Sequence, residues 1–242
     1  CEKQLEYKQR HVHESFAHIG GFPDVTVHPA LGSEKIFGYR NKMEFSCSDL
    51  RWRMPHELGD ENVDTGFALG LHVPGTFHKV LDIDACLLQP DLGNAILTFV
   101  KQYMKDSGRP FYGLRSHEGF WRFLMLRHCV ASDQWLVNIV TSAEDRDAVM
   151  PLAGLLQEKF SNVRCVVNNI TARQSGVAIG EYEIHMAGDP NLTERLGPYE
   201  FEISANSFFQ TNTRGAERLY EAVKRYAKFC EATERFVMLP AT

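Results

Sequence analysis

Residues 119–141 read GFWRFLMLRHCVASDQWLVNIVT. Two apolar runs rich in aromatic and β-branched residues flank the short turn Ala131–Asp133, the pattern of a β-hairpin. Downstream, AEDRDAVMPLAGLLQEKF (143–160) reads as a helix that starts after Ser142, carries acids in its first turn and is kinked or split at Pro151. Strands follow around VRCVVNNIT (163–171), GVAIGEYEIHMAG (176–188) and YEFEISA (199–205), then a helix through TRGAERLYEAVKRYAKF (213–229). RFVMLP (235–240) would open one more strand. Upstream, PDLGNAILTFVKQYMK (90–105) has Pro and Asp at its start and Lys at its end, favourable helix termini. FALGLHV (67–73) and FHKVLDI (77–83) are strands around PGT, and IFGYRNKMEFSCS (36–48) alternates as a strand. RWRMPHELGDENVDTG (51–66) is a surface hairpin tip or insertion, and residues 2–19 carry apolar groups at helical spacing closed by Gly20–Gly21. Long hairpins interleaved with single helices predict an α+β fold, a mostly antiparallel sheet layered with helices.

The chain has 242 residues, 44% hydrophobic and 24% charged, which is ordinary for a globular protein with a real core. Apolar runs such as NAILTFV are too short to span a bilayer, and no basic segment precedes an apolar stretch at the start. A cytoplasmic monomer without membrane association is expected. The six cysteines are scattered without a CxxC pair, so reduced, buried thiols are expected. A net charge of −5 disfavours broad non-specific nucleic-acid binding but leaves room for a local basic groove.

No dinucleotide-binding, Walker, zincin or nucleophile-elbow motif occurs. His11 and His13 point to different helix faces, His128 and Cys129 to different strand faces, and Asp82 and Asp84 suit a strand end. Two clusters stand out. In FGYRNKMEF (37–45), Arg40 and Lys42 among aromatic rings suit a phosphate backbone and an unstacked base. The alternative is a solvent-facing strand with Phe37, Tyr39, Met43 and Phe45 packed beneath. In ISANSFFQTNT (203–213), Phe208 or Phe209 would stack on a planar group whose polar edges meet Gln210 and Asn212. The alternative there is a helix entry capped by Thr213, with both phenylalanines in the core.

Taken in order, EKQLEYKQRHVHESFAHIG (2–20), FGYRNKMEF, LDIDACLLQP (81–90) and ISANSFFQTNT resemble segments of the S-adenosylmethionine-dependent RNA uracil-5-methyltransferases, which modify tRNA or 23S rRNA. The resemblance covers about residues 2–230. It implies that Gln210, with Asn212, binds S-adenosylmethionine, that Phe208 lies near the flipped target base, and that Arg40 and Lys42 contact RNA. It also implies that Cys86, with Cys1 as a doubtful companion, ligates a 4Fe–4S cluster whose other cysteines are missing here. Residues 1–203 would be a central RNA-facing domain, whose N-terminal helix 2–19 docks on the methyltransferase domain. Residues 204–242 would be only the start of that Rossmann-like methyltransferase domain, with nucleophile and base outside the chain and no catalytic residue within it. A stand-alone RNA-binding module and an iron–sulfur or metal-binding protein are the competing readings.

Overall fold

The computed structural model of the chain describes residues 1–174 and 176–227. The RFVMLP segment and Cys230 lie outside these described residues. Two compact units are present, Phe37–Thr213 and a second made of Cys1–Ile36 with the segment from Arg214.

The larger unit is built on a seven-stranded sheet. Its strands are β1 (Lys42–Ser48), β2 (Ala68–His72), β3 (Val80–Asp82), β4 (Trp121–Cys129), β5 (Gln134–Thr141), β6 (Val163–Ile170) and β7 (Tyr182–Gly188), ordered β3-β2-β1-β4-β5-β6-β7. The β4–β5 hairpin is the centre, with Leu124 opposite Ile139 and Leu126 opposite Val137. Every neighbouring pair is antiparallel except β5–β6, which α3 (Arg146–Lys159) joins as a parallel crossover. The α+β architecture expected from the sequence is present.

One sheet face packs against α2 (Asp91–Asp106) and α3. Phe45, Leu124, Leu126, Trp135 and Val137 meet Ile96, Val100 and Met104 of α2 and Val149, Leu152 and Leu156 of α3. Each such side chain contributes about 1.5–3 kcal/mol by leaving water. The other face is covered by a two-stranded hairpin, β8 (Leu192–Leu196) and β9 (Tyr199–Ile203), through Leu192, Ile203 and Ala205 on Met125, Leu136, Cys165 and Val167. At Gly188 the chain needs glycine: φ is +81°, and a Cβ would lie 1.9 Å from the Arg164 carbonyl oxygen.

Several details depart from the expectation. Asp145, not Ser142, caps α3, its carboxylate accepting from Ala148 N at 3.1 Å. Pro151 sits inside α3 without splitting it, because Ala148, Val149, Leu152 and Ala153 anchor one face in the core on both sides of the missing hydrogen bond. Residues 36–41 are not strand: the Gly38 and Arg40 amides bond the loop at Leu87 and Leu88, and Phe37 is exposed rather than packed beneath a sheet. Strand β8 was not expected at all.

In the smaller unit, α1 (Glu2–Glu14) runs into a π turn at Ser15–Ile19, and α4 extends over Thr213–Ala227 from its first residue in the larger unit. Gln9 donates to the Val27 carbonyl at 2.8 Å, and the His28 and Tyr226 rings lie 5.8 Å apart. Among the described residues no helix is long and apolar enough to cross a membrane.

Candidate functional site

Three of the quoted stretches converge within the larger unit. Gly38 N and Arg40 N donate to Leu87 O and Leu88 O at 2.9 and 2.8 Å, so FGYR lies along the loop that contains Cys86. One residue on, Asn41 N donates to Thr211 O at 2.8 Å, and Asn41 Nδ2 donates to Gln210 O and Thr213 Oγ1, both at 2.9 Å. A single buried asparagine (4% exposed) therefore clasps the 37–42 segment to the 208–213 segment.

The loop leading into Phe208 is fixed from the sheet. Arg127 of β4, 2% exposed, donates to the Ser207 carbonyl. Burial lowers the pKa of its guanidinium, with the nearby Cys129 and Glu44 opposing. Asn206 Nδ2 donates to Asn169 Oδ1 at 3.1 Å, and Asn169 in turn donates to Asn138 Oδ1 at 3.0 Å. Ser204 and Ser207 share a hydroxyl–hydroxyl bond at 2.8 Å. At the far end, the buried Glu194 carboxylate accepts from Thr213 Oγ1, Val130 N, Ala131 N and Arg195 N at 2.7–3.2 Å. Its negative charge lies beside the first residue of α4, where the helix dipole favours an anion.

Held this way, the two adjacent phenylalanines separate. Phe209 packs into the core beneath the β8–β9 hairpin, its ring 5.6 Å from Phe201 and tilted at 63°. Phe208 projects outward, 87% exposed, next to the exposed Gln210. The expectation that both fill the core fails for Phe208. Asn212 is half-buried at the helix entry, and the Thr213 hydroxyl is engaged by Asn41 and Glu194. Arg40, half-buried, donates Nε to the Lys42 carbonyl at 2.9 Å, while Lys42 is paired with Glu44 at 2.5 Å. Arg40 lies outside any strand and, among the described residues, is in no ion pair; Lys42 shares its charge with a carboxylate.

Two clefts of about 420 and 400 Å³ lie elsewhere. The first is lined by Arg51, Asp82, Asp84 and Lys101 among others, the second by the β8–β9 hairpin. Neither is lined by Arg40, Lys42, Phe208, Gln210 or Asn212. Of these residues Phe208 and Gln210 are exposed, while Arg40, Lys42 and Asn212 are half-buried.

The expected cluster does not find its ligands here. Among the described residues no three His, Cys, Asp or Glu side chains group as a metal site. Cys86 is half-buried against the core, its amide bonded to Asn94 Oδ1 at 2.8 Å, and Cys1 is exposed in the other unit. One thiol does not fit a 4Fe–4S cluster, which takes four. Cys47, Cys129 and Cys165 are buried. Burial pushes Cys129 and Cys165 up to about 12 and Cys47 further, so all three stay protonated and are poor nucleophiles. His128 stacks on Trp135 at 4.6 Å and bonds Asp133 at 2.7 Å, a structural role.

An uncharacterized RNA methyltransferase of Chlorobaculum tepidum is 43% identical over 225 residues, 92% of this chain and 47% of that protein. One from Porphyromonas gingivalis is 34% identical over 233 residues, 93% of this chain and 50% of that protein. The chain is a relative of RNA methyltransferases. It spans about half the length of the curated relatives it matches. No family model matches it. In fold it resembles the Pyrococcus abyssi tRNA (uracil-54, C5)-methyltransferase, solved in complex with S-adenosyl-L-homocysteine. The TM-score is 0.65 at 23% identity, over 91% of this chain and 48% of that one.

The residues that organise the site were not singled out from sequence. Asn41 stood in a motif between two more conspicuous cations. Arg127 and Glu194 are charged residues with no local signal of burial, yet both are buried.

Proposed function

We propose that this chain is the RNA-facing part of an enzyme that transfers a methyl group from S-adenosylmethionine to C5 of a uridine in tRNA or rRNA. The observation that carries the reading is the Asn41 clasp, which ties the segment of Arg40 to the segment that holds the exposed Phe208 and Gln210. Arg40 takes a backbone phosphate, Phe208 stacks on the base turned out of its helix, and Gln210 with Asn212 bonds the donor. The exposed amide of Gln210 suits the polar edge of an adenosyl group. S-adenosylmethionine, when bound, supplies an electrophilic methyl group. Uridine C5 becomes nucleophilic when a thiolate adds to C6; a base then takes the C5 proton and the thiolate leaves. Neither thiolate nor base is assigned to this chain. Residues 1–203 carry the RNA-facing role, with helix 2–19 docking on the methyltransferase domain that residues from 204 begin. The enzyme acts as a cytoplasmic monomer.

Two substitutions separate the roles. Arg40→Ala is expected to weaken RNA binding and to reduce the salt slope of log K by about 0.7–0.9, the share of one phosphate contact. Fluorescence anisotropy across a salt series reads both, and an unchanged slope would remove Arg40 from the interface. Gln210→Ala, in the protein that carries this chain, should raise the dissociation constant for S-adenosylmethionine about tenfold, the loss of a hydrogen bond worth about 1 kcal/mol or slightly more. Calorimetry showing an unaltered constant would reject that role.

A further inference from the structure

A second patch of exposed rings and cations lies on loops that the site above does not use. Trp52 is anchored by its amide, which donates to Val80 O at 2.9 Å, and Lys79 Nζ sits 3.8 Å over its ring. Phe77 stands out on the same hairpin, 73% exposed, its ring 4.9 Å from His78. Arg115 reaches across from the turn 113–118 and donates Nη2 to His78 Nε2 at 2.7 Å, so His78 accepts as a neutral imidazole. That turn is tight: Gly113 N bonds Glu118 O at 2.7 Å and His117 N bonds Gly113 O at 2.8 Å. Arg115 is thus presented from a firm base.

The charge state of these cations separates them from their neighbours. Arg51 is paired with Glu57 at 2.7 Å, and Lys101 with Asp82 and Asp84 at 2.9 Å. Among the described residues neither Lys79 nor Arg115 is in an ion pair. Burial, and then the positive charges of Arg115 and Lys79, holds the His78 pKa below its ordinary value, as a local positive field would. Asp49, beside Gly113, and Glu118 are the carboxylates at the margin. On a chain of net charge −5, two unneutralised cations flanking an exposed ring match an anionic polymer with flat faces.

We infer that Trp52, Phe77, Lys79 and Arg115 form a second RNA-contact surface, at which an unpaired nucleotide stacks on Phe77 while its flanking phosphates meet Lys79 and Arg115. The inference rests on the RNA reading above and extends it to a surface that holds the strand away from the reacting base. The test titrates a single-stranded oligouridine of about a dozen nucleotides with the wild type, Phe77→Ala, the double variant Lys79→Ala/Arg115→Ala, and Arg40→Ala. All four positions are at least partly exposed, and thermal denaturation checks that each variant is folded. Phe77→Ala is expected to bind about tenfold more weakly, the loss of one stacked base, with Phe77→Trp restoring affinity. The double variant should lower the salt slope by about 1.4, two phosphate contacts to a single strand. If these variants match the wild type while Arg40→Ala loses affinity, this surface falls and the RNA reading stands. If the wild type binds no RNA, both fall. If Phe77→Ala weakens binding of poly-glutamate as much as of RNA, the patch is an acidic-protein contact, and base stacking is overturned.

Discussion

Replacing Glu194 by alanine is expected to cost about 3–5 kcal/mol of folding stability, the largest effect of any single side chain around the site. The carboxylate is 1% exposed and accepts four hydrogen bonds, from Val130 N, Ala131 N, Arg195 N and Thr213 Oγ1. No cation is needed to hold it, because four donors and the start of α4 supply the compensating field. Alanine leaves the amides of the β4–β5 turn and a buried hydroxyl facing a void, each at about 1–3 kcal/mol. Glutamine is no rescue, since its amide would turn donors towards donors. Urea denaturation reads the result as a shift in midpoint at constant slope. Glu200→Ala, on the exposed neighbouring strand, provides the scale, with an expected change within about 0.5 kcal/mol. A Glu194→Ala midpoint no lower than that of Glu200→Ala would show that the network holds nothing in place.

Glu194 also shows where sequence reasoning stops. The β4–β5 hairpin and α2 were legible because their burial follows from composition: β4 carries the apolar run Phe123–Leu126 and is buried almost throughout, and the termini of α2 carry charges of the right sign. β8, Leu-Thr-Glu-Arg-Leu, alternates too weakly to announce a strand, and its glutamate points inward. That orientation is set by the amides of a turn more than sixty residues earlier in the chain. Phe208 and Phe209 are the same residue type side by side, and distant bonds to the loop around them, among them Arg127 to Ser207 and Asn206 to Asn169, hold it where one ring is outside. Arg40 stood out in the sequence as a cation among aromatic rings. Its place off the strand was not legible there, because the bonds to Leu87 and Leu88 substitute for a ladder.

Asn41→Ala should separate clasp from contact. The side chain touches neither proposed ligand, yet its Nδ2 bridges Gln210 O and Thr213 Oγ1, so its loss loosens the join between the two segments and leaves the Asn41 N–Thr211 O bond to hold it. Affinity for RNA and for S-adenosylmethionine should therefore fall together, each about tenfold, whereas Arg40→Ala moves only the first and Gln210→Ala only the second. The stability cost should stay near 1–2 kcal/mol, because Asn41 Oδ1 has no partner to lose and two acceptors are left less satisfied rather than a donor stranded. Asn41→Asp is the sharper variant. It keeps the shape but turns an oxygen towards Gln210 O, and repulsion between acceptors should make it at least as damaging as alanine. If both variants lose stability while both affinities stay at wild-type values, the 37–42 and 208–213 segments are merely packed together, and Asn41 does not couple the RNA contact to the donor contact.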